Sequence, residues 1–73
     1  MDLPVLVTSQ LTFDTGSDKL VKGESAIVYE LEEGPDGVGY YWMMLSIDRP
    51  RLIRHYFGWH PERVLKRWLK PDA

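Results

Sequence analysis

The chain has 73 residues, a net charge of −2, 44% hydrophobic residues and no cysteine. This length predicts a single domain over residues 1–73, and the content of packing residues excludes a disordered chain. The lack of cysteine excludes disulfide scaffolds and thiolate metal sites. No apolar run approaches the roughly 20 residues of a membrane span, and no secretory signal is visible, so the sequence predicts a cytoplasmic protein without membrane contact.

The first half of the chain predicts strands separated by polar loops. Residues 3–7 are rich in strand-forming types, and residues 11–13 continue with alternating apolar positions. Residues 14–18 have loop chemistry, because glycine permits positive φ and aspartate binds the local backbone. Residues 25–32 predict the next strand. Its stronger apolar face comprises Ile27, Tyr29 and Leu31.

The middle of the chain predicts an antiparallel meander. Residues 33–37 form a strong turn signal, since proline presets φ and both glycines permit left-handed conformations. Residues 40–47 are apolar on both faces apart from Ser46, which is typical of a central strand. Residues 48–51 predict the next turn, and residues 52–57 predict the strand after it.

The C-terminal residues change to a helical period. Pro61 suits the first position of a helix, Glu62 favours its positive end, and Pro71 is expected to stop it. Two groups recur at helical spacing on opposite sides, the apolar Val64, Leu65, Trp68 and Leu69 and the basic Arg63, Lys66, Arg67 and Lys70. This pattern predicts a short amphipathic helix over residues 61–69. The alternative is one 3₁₀ turn at residues 60–64 followed by a final strand.

Three segments between residues 22 and 65 carry a family resemblance. They are Lys22-Gly23-Glu24 leading into Ala26 and Val28, then Tyr41-Trp42, and the stretch from Gly58-Trp59 to Arg63-Val64. In these segments the chain resembles an SH3-like small β-barrel. The resemblance implies that Ala26 and Val28 point inward, whereas the alternation of residue types favours the face of Ile27. Residues 3–13 lack the aromatic pattern of the polyproline groove, so polyproline recognition is not implied.

The fold class predicted is therefore mainly β with a minor helical part (α+β). The architecture is either a small antiparallel SH3-like barrel or a meander sheet, followed by a short C-terminal amphipathic helix.

The charges divide between the two parts of the chain. Residues 1–48 carry nine acidic and two basic side chains, whereas residues 49–73 carry seven basic and two acidic side chains. Such an asymmetry favours a polar partner surface more than the total charge does. The alternatives are that the two parts attract each other within the fold or that the charges are solvated.

No catalytic or metal-binding pattern is visible. His55 and His60 lie five residues apart with no third ligand nearby. The serines lie in no Gly-x-Ser-x-Gly motif, and the glycines match no phosphate-binding loop. A chain of this size has little room for a core and a catalytic pocket of about 300 Å³ together. The sequence predicts a protein that is not an enzyme and has no cofactor and no metal.

A binding surface is the sharper prediction. The basic helical stripe suits phosphates or an acidic protein segment, and rings exceed what so small a core encloses. The residues expected in one docking surface are Arg63, Lys66, Arg67, Lys70, Arg49, Arg51, Arg54, Trp59, Tyr40 and Tyr56. A protein partner is favoured over nucleic acid, because the sequence pI is about 5.5 and the upstream acids repel a phosphate backbone.

A second resemblance concerns size and kind rather than motif. A lone compact cysteine-free domain of this length resembles small phage-encoded viral proteins that regulate transcription. One class of these binds bacterial RNA polymerase as an inhibitor of initiation and an antitermination factor. The resemblance implies a place in the bacterial cytoplasm and carries over no functional residues. We expect the protein to be a monomer when it is free. The alternatives are a nucleic-acid-binding small barrel and a subunit of an oligomeric enzyme.

Overall fold

The computed structural model describes residues 2–14 and 19–72. In these residues the chain forms strands joined by short turns, with one helix close to the C-terminus. The elements in chain order are β1 (Val5–Ser9), β2 (Phe13–Asp14), β3 (Lys19–Leu20), β4 (Ser25–Glu33), β5 (Tyr40–Ser46), β6 (Arg51–Tyr56), α1 (Pro61–Arg67) and β7 (Leu69–Pro71). The predicted loop at residues 14–18 lies mostly outside the described residues, and Asp14 itself ends β2.

The strands form a five-stranded antiparallel sheet and a separate ribbon. The order in the sheet is β6-β5-β4-β1-β7, and β2 pairs with β3. The mainly β fold is confirmed, as are the meander β4-β5-β6 and the central place of β5 within it. Over the described residues the sheets are not closed into a barrel.

A β-bulge divides β4 into two halves with opposite alternation. Val28 pairs with Met44 and Glu30 pairs with Met43, so Tyr29 is an extra residue on β4. Ala26 and Val28 lie before the bulge and are fully buried, so Ile27 between them points to the other side. After the bulge, Leu31 returns to the core side. The predicted inward face is therefore correct for Leu31 and wrong for Ile27 and Tyr29, because the extra residue reverses the alternation after Tyr29 and the three side chains share no single face.

The core lies between one face of the sheet, α1 and the β2–β3 ribbon. This face is called the inner face below, and the opposite face of the sheet the outer face. The fully buried apolar side chains are Val7, Leu20, Ala26, Val28, Trp42, Met44, Ile53, Val64 and Leu69. The indole Nε1 of Trp42 is buried and has no hydrogen-bond acceptor among the described residues. Trp42 instead packs edge-on against Phe57, with ring centroids 5.6 Å apart.

The C-terminal residues combine the two arrangements that the sequence left open. Pro61 begins α1, and the helix ends at Trp68, whose backbone N–H donates to the carbonyl of Val64. Leu69 then enters β7 and pairs with Ser9 of β1. The predicted helix is thus correct for residues 61–67 and wrong for residues 68–69. Pro71 ends no helix, because the backbone hydrogen bonds of β1 draw the chain into the sheet two residues earlier.

Among the described residues, no helix combines the length and the apolar character that crossing a lipid bilayer requires.

Candidate functional site

A groove of about 640 Å³ runs along the solvent side of α1. Val64 anchors the helix in the core, and the side chains of Arg63, Lys66 and Arg67 are exposed to solvent. The groove is lined by Trp59, His60, Arg63, Val64, Lys66, Arg67 and Trp68. We call this surface the α1 groove. It joins basic and aromatic groups and contains no carboxylate in its lining.

The cations of the α1 groove have no counter-ion among the residues that the structure describes. No carboxylate of the described residues lies within 4.0 Å of the charged nitrogens of Arg63, Lys66 or Arg67. Arg67 instead places its guanidinium carbon 4.9 Å from the ring centroid of Trp68, a cation–π contact. Three like charges within about one turn of a helix repel one another, so an anionic ligand stabilises them.

Trp59 gives the α1 groove an exposed aromatic wall. Its side chain is 59% exposed, which is unusual for the largest apolar residue type. Gly58 precedes Trp59 and has a φ of 76°, a left-handed conformation that strands do not adopt. The chain therefore leaves the extended conformation of β6 before Trp59. Exposed tryptophan and arginine are the residue types enriched at the centres of protein interfaces.

A second groove adjoins the first at the N-terminal end of α1. It encloses about 510 Å³ and is lined by Leu3, Leu31, Tyr40, His60, Pro61, Glu62 and Arg63. His60 and Arg63 border both grooves. Tyr40 therefore lies close to the cationic helix, although it is distant in sequence. The structure brings together five of the predicted site residues at this end of the molecule, namely Tyr40, Trp59, Arg63, Lys66 and Arg67.

Arg49 and Arg51 lie elsewhere, around the buried carboxylate of Glu24. The Nη1 of Arg51 is 2.7 Å from Oε1 of Glu24, and the Nη2 of Arg49 is 3.2 Å from Oε2. Ser46 donates its hydroxyl to the same carboxylate at 2.6 Å, and the backbone N–H of Val21 donates at 2.9 Å. We call this group the Glu24 cluster. Both arginines contact an internal partner, and neither lines the α1 groove, so the structure does not place them with the groove residues; their part in binding a partner stays a prediction.

The Glu24 cluster stabilises the fold. The Arg51 guanidinium, followed by the hydroxyl of Ser46 and the N–H of Val21, holds the pKa of the Glu24 carboxyl far below its usual range against the effect of burial. A carboxylate that accepts so many hydrogen bonds remains ionised at any physiological pH. The turn that presents it depends on Gly23, whose φ of 88° favours glycine.

Arg54 and Lys70 lie on the outer face of the sheet, away from α1. The guanidinium carbon of Arg54 is 3.5 Å from the centroid of the Tyr41 ring, and its Nη2 is 3.5 Å from Oε1 of Glu32. Lys70 stands on β7 in register with Thr8 of β1. The helical stripe predicted for Lys70 is thus wrong, because α1 ends before it and β7 turns it to the other side.

Tyr56 also lies outside the α1 groove. Its hydroxyl donates to the carboxylate of Asp36, which raises the pKa of Tyr56 to about 12 and lowers that of Asp36. The Tyr56 ring packs on Gly39, where a Cβ would lie 2.7 Å from the Cα of Gly58. This close approach of two backbones requires glycine. Tyr56 therefore fastens the loop between β4 and β5 to the end of β6.

The two histidines do not form a metal centre. His55 packs against the rings of Phe13 and Phe57, with centroids 5.2 and 4.6 Å away, and its burial lowers its pKa. His60 borders the α1 groove. Across residues 2–14 and 19–72, no three His, Cys, Asp or Glu side chains are placed to hold a metal ion.

Sequence reasoning missed two features of this region. The first is the buried carboxylate of Glu24, for which the only local signal is the glycine before it. The nearby sequence does not indicate which of the seven basic residues at positions 49–73 pair with Glu24. Trp68 was expected on the buried stripe of the helix, whereas it is half-buried and also lines the α1 groove.

Comparisons with protein-family models, with curated proteins and with solved structures find no match to this chain.

Proposed function

We propose that this protein is a non-catalytic binding module that holds an acidic segment of a partner protein in the α1 groove. The observation that carries the proposal is the set of three cations, Arg63, Lys66 and Arg67, which have no carboxylate within 4.0 Å among the described residues. The exposed ring of Trp59 beside them supplies apolar contact area.

Charge and shape favour an acidic segment that also carries an apolar or aromatic side chain. Carboxylates of the partner pair with the guanidinium groups, which match them in two-pronged geometry. Its apolar side chain packs on the indole of Trp59, which loses little conformational freedom on binding. Such an interface gains on-rate and orientation from charge and gains affinity from the buried ring.

A peptide titration tests the proposal. The probe is a synthetic peptide of about a dozen residues with four glutamates around one phenylalanine, and binding is followed by isothermal titration calorimetry. We expect the double variant Arg63→Glu/Arg67→Glu to weaken binding at least about ten-fold, because each exposed pair contributes about 0.2–1 kcal/mol and reversal turns attraction into repulsion.

Lys70→Glu provides the matched control. It changes the charge in the same direction at an exposed position on the opposite side of the sheet. We expect the affinity of Lys70→Glu to stay within about two-fold of the parent, since its side chain lies on the other face of the sheet and interactions between solvent-exposed charges are weak. Equal loss in both variants, or no binding by the parent protein, would contradict the proposal.

In its specific form, the partner is bacterial RNA polymerase and binding regulates transcription in the bacterial cytoplasm. Only the size and the cysteine-free composition support this form, through the resemblance to small phage regulators. Affinity purification from bacterial lysate with mass spectrometry tests it. Polymerase subunits retained by the parent protein and lost with Arg63→Glu/Arg67→Glu are the expected result, whereas their absence from both samples refutes the specific form.

The finer fold proposed is an SH3-like module. Two segments of the resemblance support it. The turn at Gly23 leads into the inward side chains of Ala26 and Val28, and the segment from Gly58 leads into a helical turn before the last strand. An experimental structure in which the sheet curls toward closure at β6 and β7 would sharpen this assignment, and a flat open sheet would argue against it.

A second candidate function is binding of single-stranded nucleic acid in the same groove. The observation in its favour is the alternation of cations with Trp59 and Trp68, since bases stack on indoles while phosphates meet arginines. Three phosphate contacts predict a log–log salt slope of about −2 for a single strand. A filter-binding series that gives a flat curve excludes this candidate.

A further inference from the structure

The outer face of the sheet carries an apolar row that nothing in the described chain covers. The register aligns one aliphatic residue from each of four neighbouring strands. Leu6 of β1 pairs with Ile27 of β4, Ile27 pairs with Leu45 of β5, and Leu45 pairs with Leu52 of β6. We call these four residues the aliphatic row.

Three of the four residues of the aliphatic row are exposed, and Ile27 between them is partly buried. Leu52 is 69% exposed, and Leu6 and Leu45 are about two-fifths exposed. Tyr29, the extra residue of the bulge, and Ile47, which follows β5, are also exposed and enlarge the patch. A contiguous exposed apolar surface of this kind marks an interaction site, whereas single exposed apolar residues need no explanation.

A negatively charged side chain, Glu30, lies beside the aliphatic row. Moving from the row toward the end of β4, the next cross-strand positions are Glu30, Met43 and Arg54. Arg54 forms an ion pair with Glu32 and a cation–π contact with the ring of Tyr41. Glu30 has no cation within 4.0 Å among the described residues. A ligand lying along the row therefore meets one unneutralised carboxylate on this side.

The spacing of the row fits a helix that crosses the strands. Neighbouring strands lie about 4.8 Å apart, so the four side chains span roughly 14 Å. A helix advances about 5.4 Å per turn, so its residues i, i+4, i+7 and i+11 span roughly 16 Å along one side. Each aliphatic side chain of the row thus meets about one turn of such a helix.

We infer that the aliphatic row and Glu30 form a docking site for an amphipathic helix of a partner protein, with an aliphatic stripe on the row and a basic flank at Glu30. This site lies on the opposite side of the sheet from the α1 groove and does not depend on it. An aliphatic stripe in contact with a sheet face is the ordinary way in which helices bury apolar area.

A designed peptide tests the inference. It is a helix of about 15 residues with leucine at i, i+4, i+7 and i+11, lysine along one flank and alanine elsewhere. Titration into the ¹⁵N-labelled protein is expected to shift the amides of the aliphatic row, with half-saturation below about 1 mM. Leu52→Glu is expected to weaken binding at least about ten-fold, because it places a charge in the apolar contact.

Three controls keep the result specific. Val38→Glu makes the same kind of change at a side chain that is 75% exposed in the loop between β4 and β5, and it is expected to leave binding within about two-fold. Arg63→Glu/Arg67→Glu is also expected to leave binding unchanged, which separates this site from the proposed function. A second peptide with glutamate in place of the flanking lysine is expected to bind at least about three-fold more weakly, because it faces Glu30.

Several outcomes overturn the inference. One is the absence of amide shifts at a peptide concentration of about 2 mM. Another is a set of shifts confined to the α1 groove, and a third is equal binding by Leu52→Glu and the parent protein. Sedimentation equilibrium without peptide gives a further one, because a dimer that Leu52→Glu dissociates would assign the aliphatic row to a second copy of this chain.

Discussion

Arg51 at the Glu24 cluster and Arg63 in the α1 groove carry the same charge in opposite circumstances. The side chain of Arg51 is only 20% exposed and closes on a buried carboxylate at 2.7 Å. Arg63 is exposed and has no carboxylate within 4.0 Å among the described residues. A buried charge has to be paired because its desolvation is costly, whereas a solvated charge does not. The unpaired group is therefore the one open to a partner.

The Glu24 cluster contributes to the stability of the fold, whereas the α1 groove is proposed to contribute to binding. Loss of a partner in the Glu24 cluster removes hydrogen bonds and ion pairs from a buried carboxylate or its arginines, so it lowers the free energy of unfolding. Loss of a cation in the α1 groove removes repulsion between like charges and leaves the fold intact. Variants in the two regions are expected to affect different measurements, and the following predictions begin with the largest effect.

Removal of the carboxylate of Glu24 is expected to cost most. Glu24→Gln removes the buried negative charge that Arg51 and Arg49 share and is expected to lower the free energy of unfolding by about 3 kcal/mol. Urea denaturation followed by circular dichroism measures this loss. Glu30→Gln on β4, at an exposed carboxylate, is the matched control and is expected to change stability by less than about 0.5 kcal/mol. Similar losses in the two variants would remove the distinction between the regions.

Truncation of the two arginines tests the same contrast from the cationic side. Arg51→Met keeps the apolar stem and leaves Glu24 with Arg49, and we expect a loss of about 2 kcal/mol in the free energy of unfolding. Arg63→Met on α1 is expected to lie within about 0.5 kcal/mol of the parent protein. Thermal or urea denaturation of both variants provides the measurement, and a larger loss for Arg63→Met would contradict the assignment.

Acid titration should reveal the Glu24 cluster without any change of its partners. The pKa of Glu24 in the folded state lies well below its unfolded value of 4.5, so the folded state rejects a proton that the unfolded chain accepts. Its contribution is complete above pH 4.5 and is lost as the pH falls further. The gap in stability between the parent and Glu24→Gln is therefore expected to narrow below pH 4.5, by at most about 1.4 kcal/mol per pH unit.

Asp36 titrates in the same direction, because the Tyr56 hydroxyl and nearby backbone N–H groups lower its pKa. Since Asp36 is present in both proteins, its contribution cancels in their difference. A gap that stays constant from pH 7 to about pH 2 would show that Glu24 keeps an ordinary pKa in the folded protein.

Salt is expected to give the smallest effect on the fold and a clear effect on the groove. Raising the salt concentration from about 0.1 to about 1 M shortens the Debye length from about 10 to about 3 Å. We expect binding of the acidic peptide to weaken several-fold, while the free energy of unfolding changes by less than about 0.5 kcal/mol. Calorimetry and urea denaturation at both concentrations provide the test, and a salt-independent affinity would argue against a charge-based site.

The order of strands, turns and helix along the chain could be predicted from the alternation of residue types and from turn residues. The turn at residues 33–37 and the apolar run of residues 40–47 place β4 and β5, and Pro61 places the start of α1. These features depend on neighbours in sequence. The bulge at Tyr29 does not, since tyrosine is a good strand former and carries no bulge signal. The alternation that placed Ile27, Tyr29 and Leu31 on one inward face therefore fails there, and only Leu31 faces the core.

The distribution of the basic residues was the least predictable part of the candidate site. Their order in sequence suggests one cluster, yet the fold divides them among the Glu24 cluster, the outer face and the α1 groove. Glu24 lies more than twenty positions upstream of Arg49, and only tertiary contact joins them. Lys70 left the helical stripe because β1 offered Leu69 a backbone partner. Local periodicity contains neither of these long-range contacts.

The three indoles of this chain occupy three environments. That of Trp42 is sealed, that of Trp68 lies beneath a guanidinium, and that of Trp59 is open to water. Their fluorescence should differ accordingly. Iodide, attracted by the neighbouring positive charge, should quench the emission of Trp59 first and that of Trp42 last. A ligand bound beside α1 would shield Trp59 from iodide, so the fluorescence of the unlabelled protein measures how much of the α1 groove is occupied.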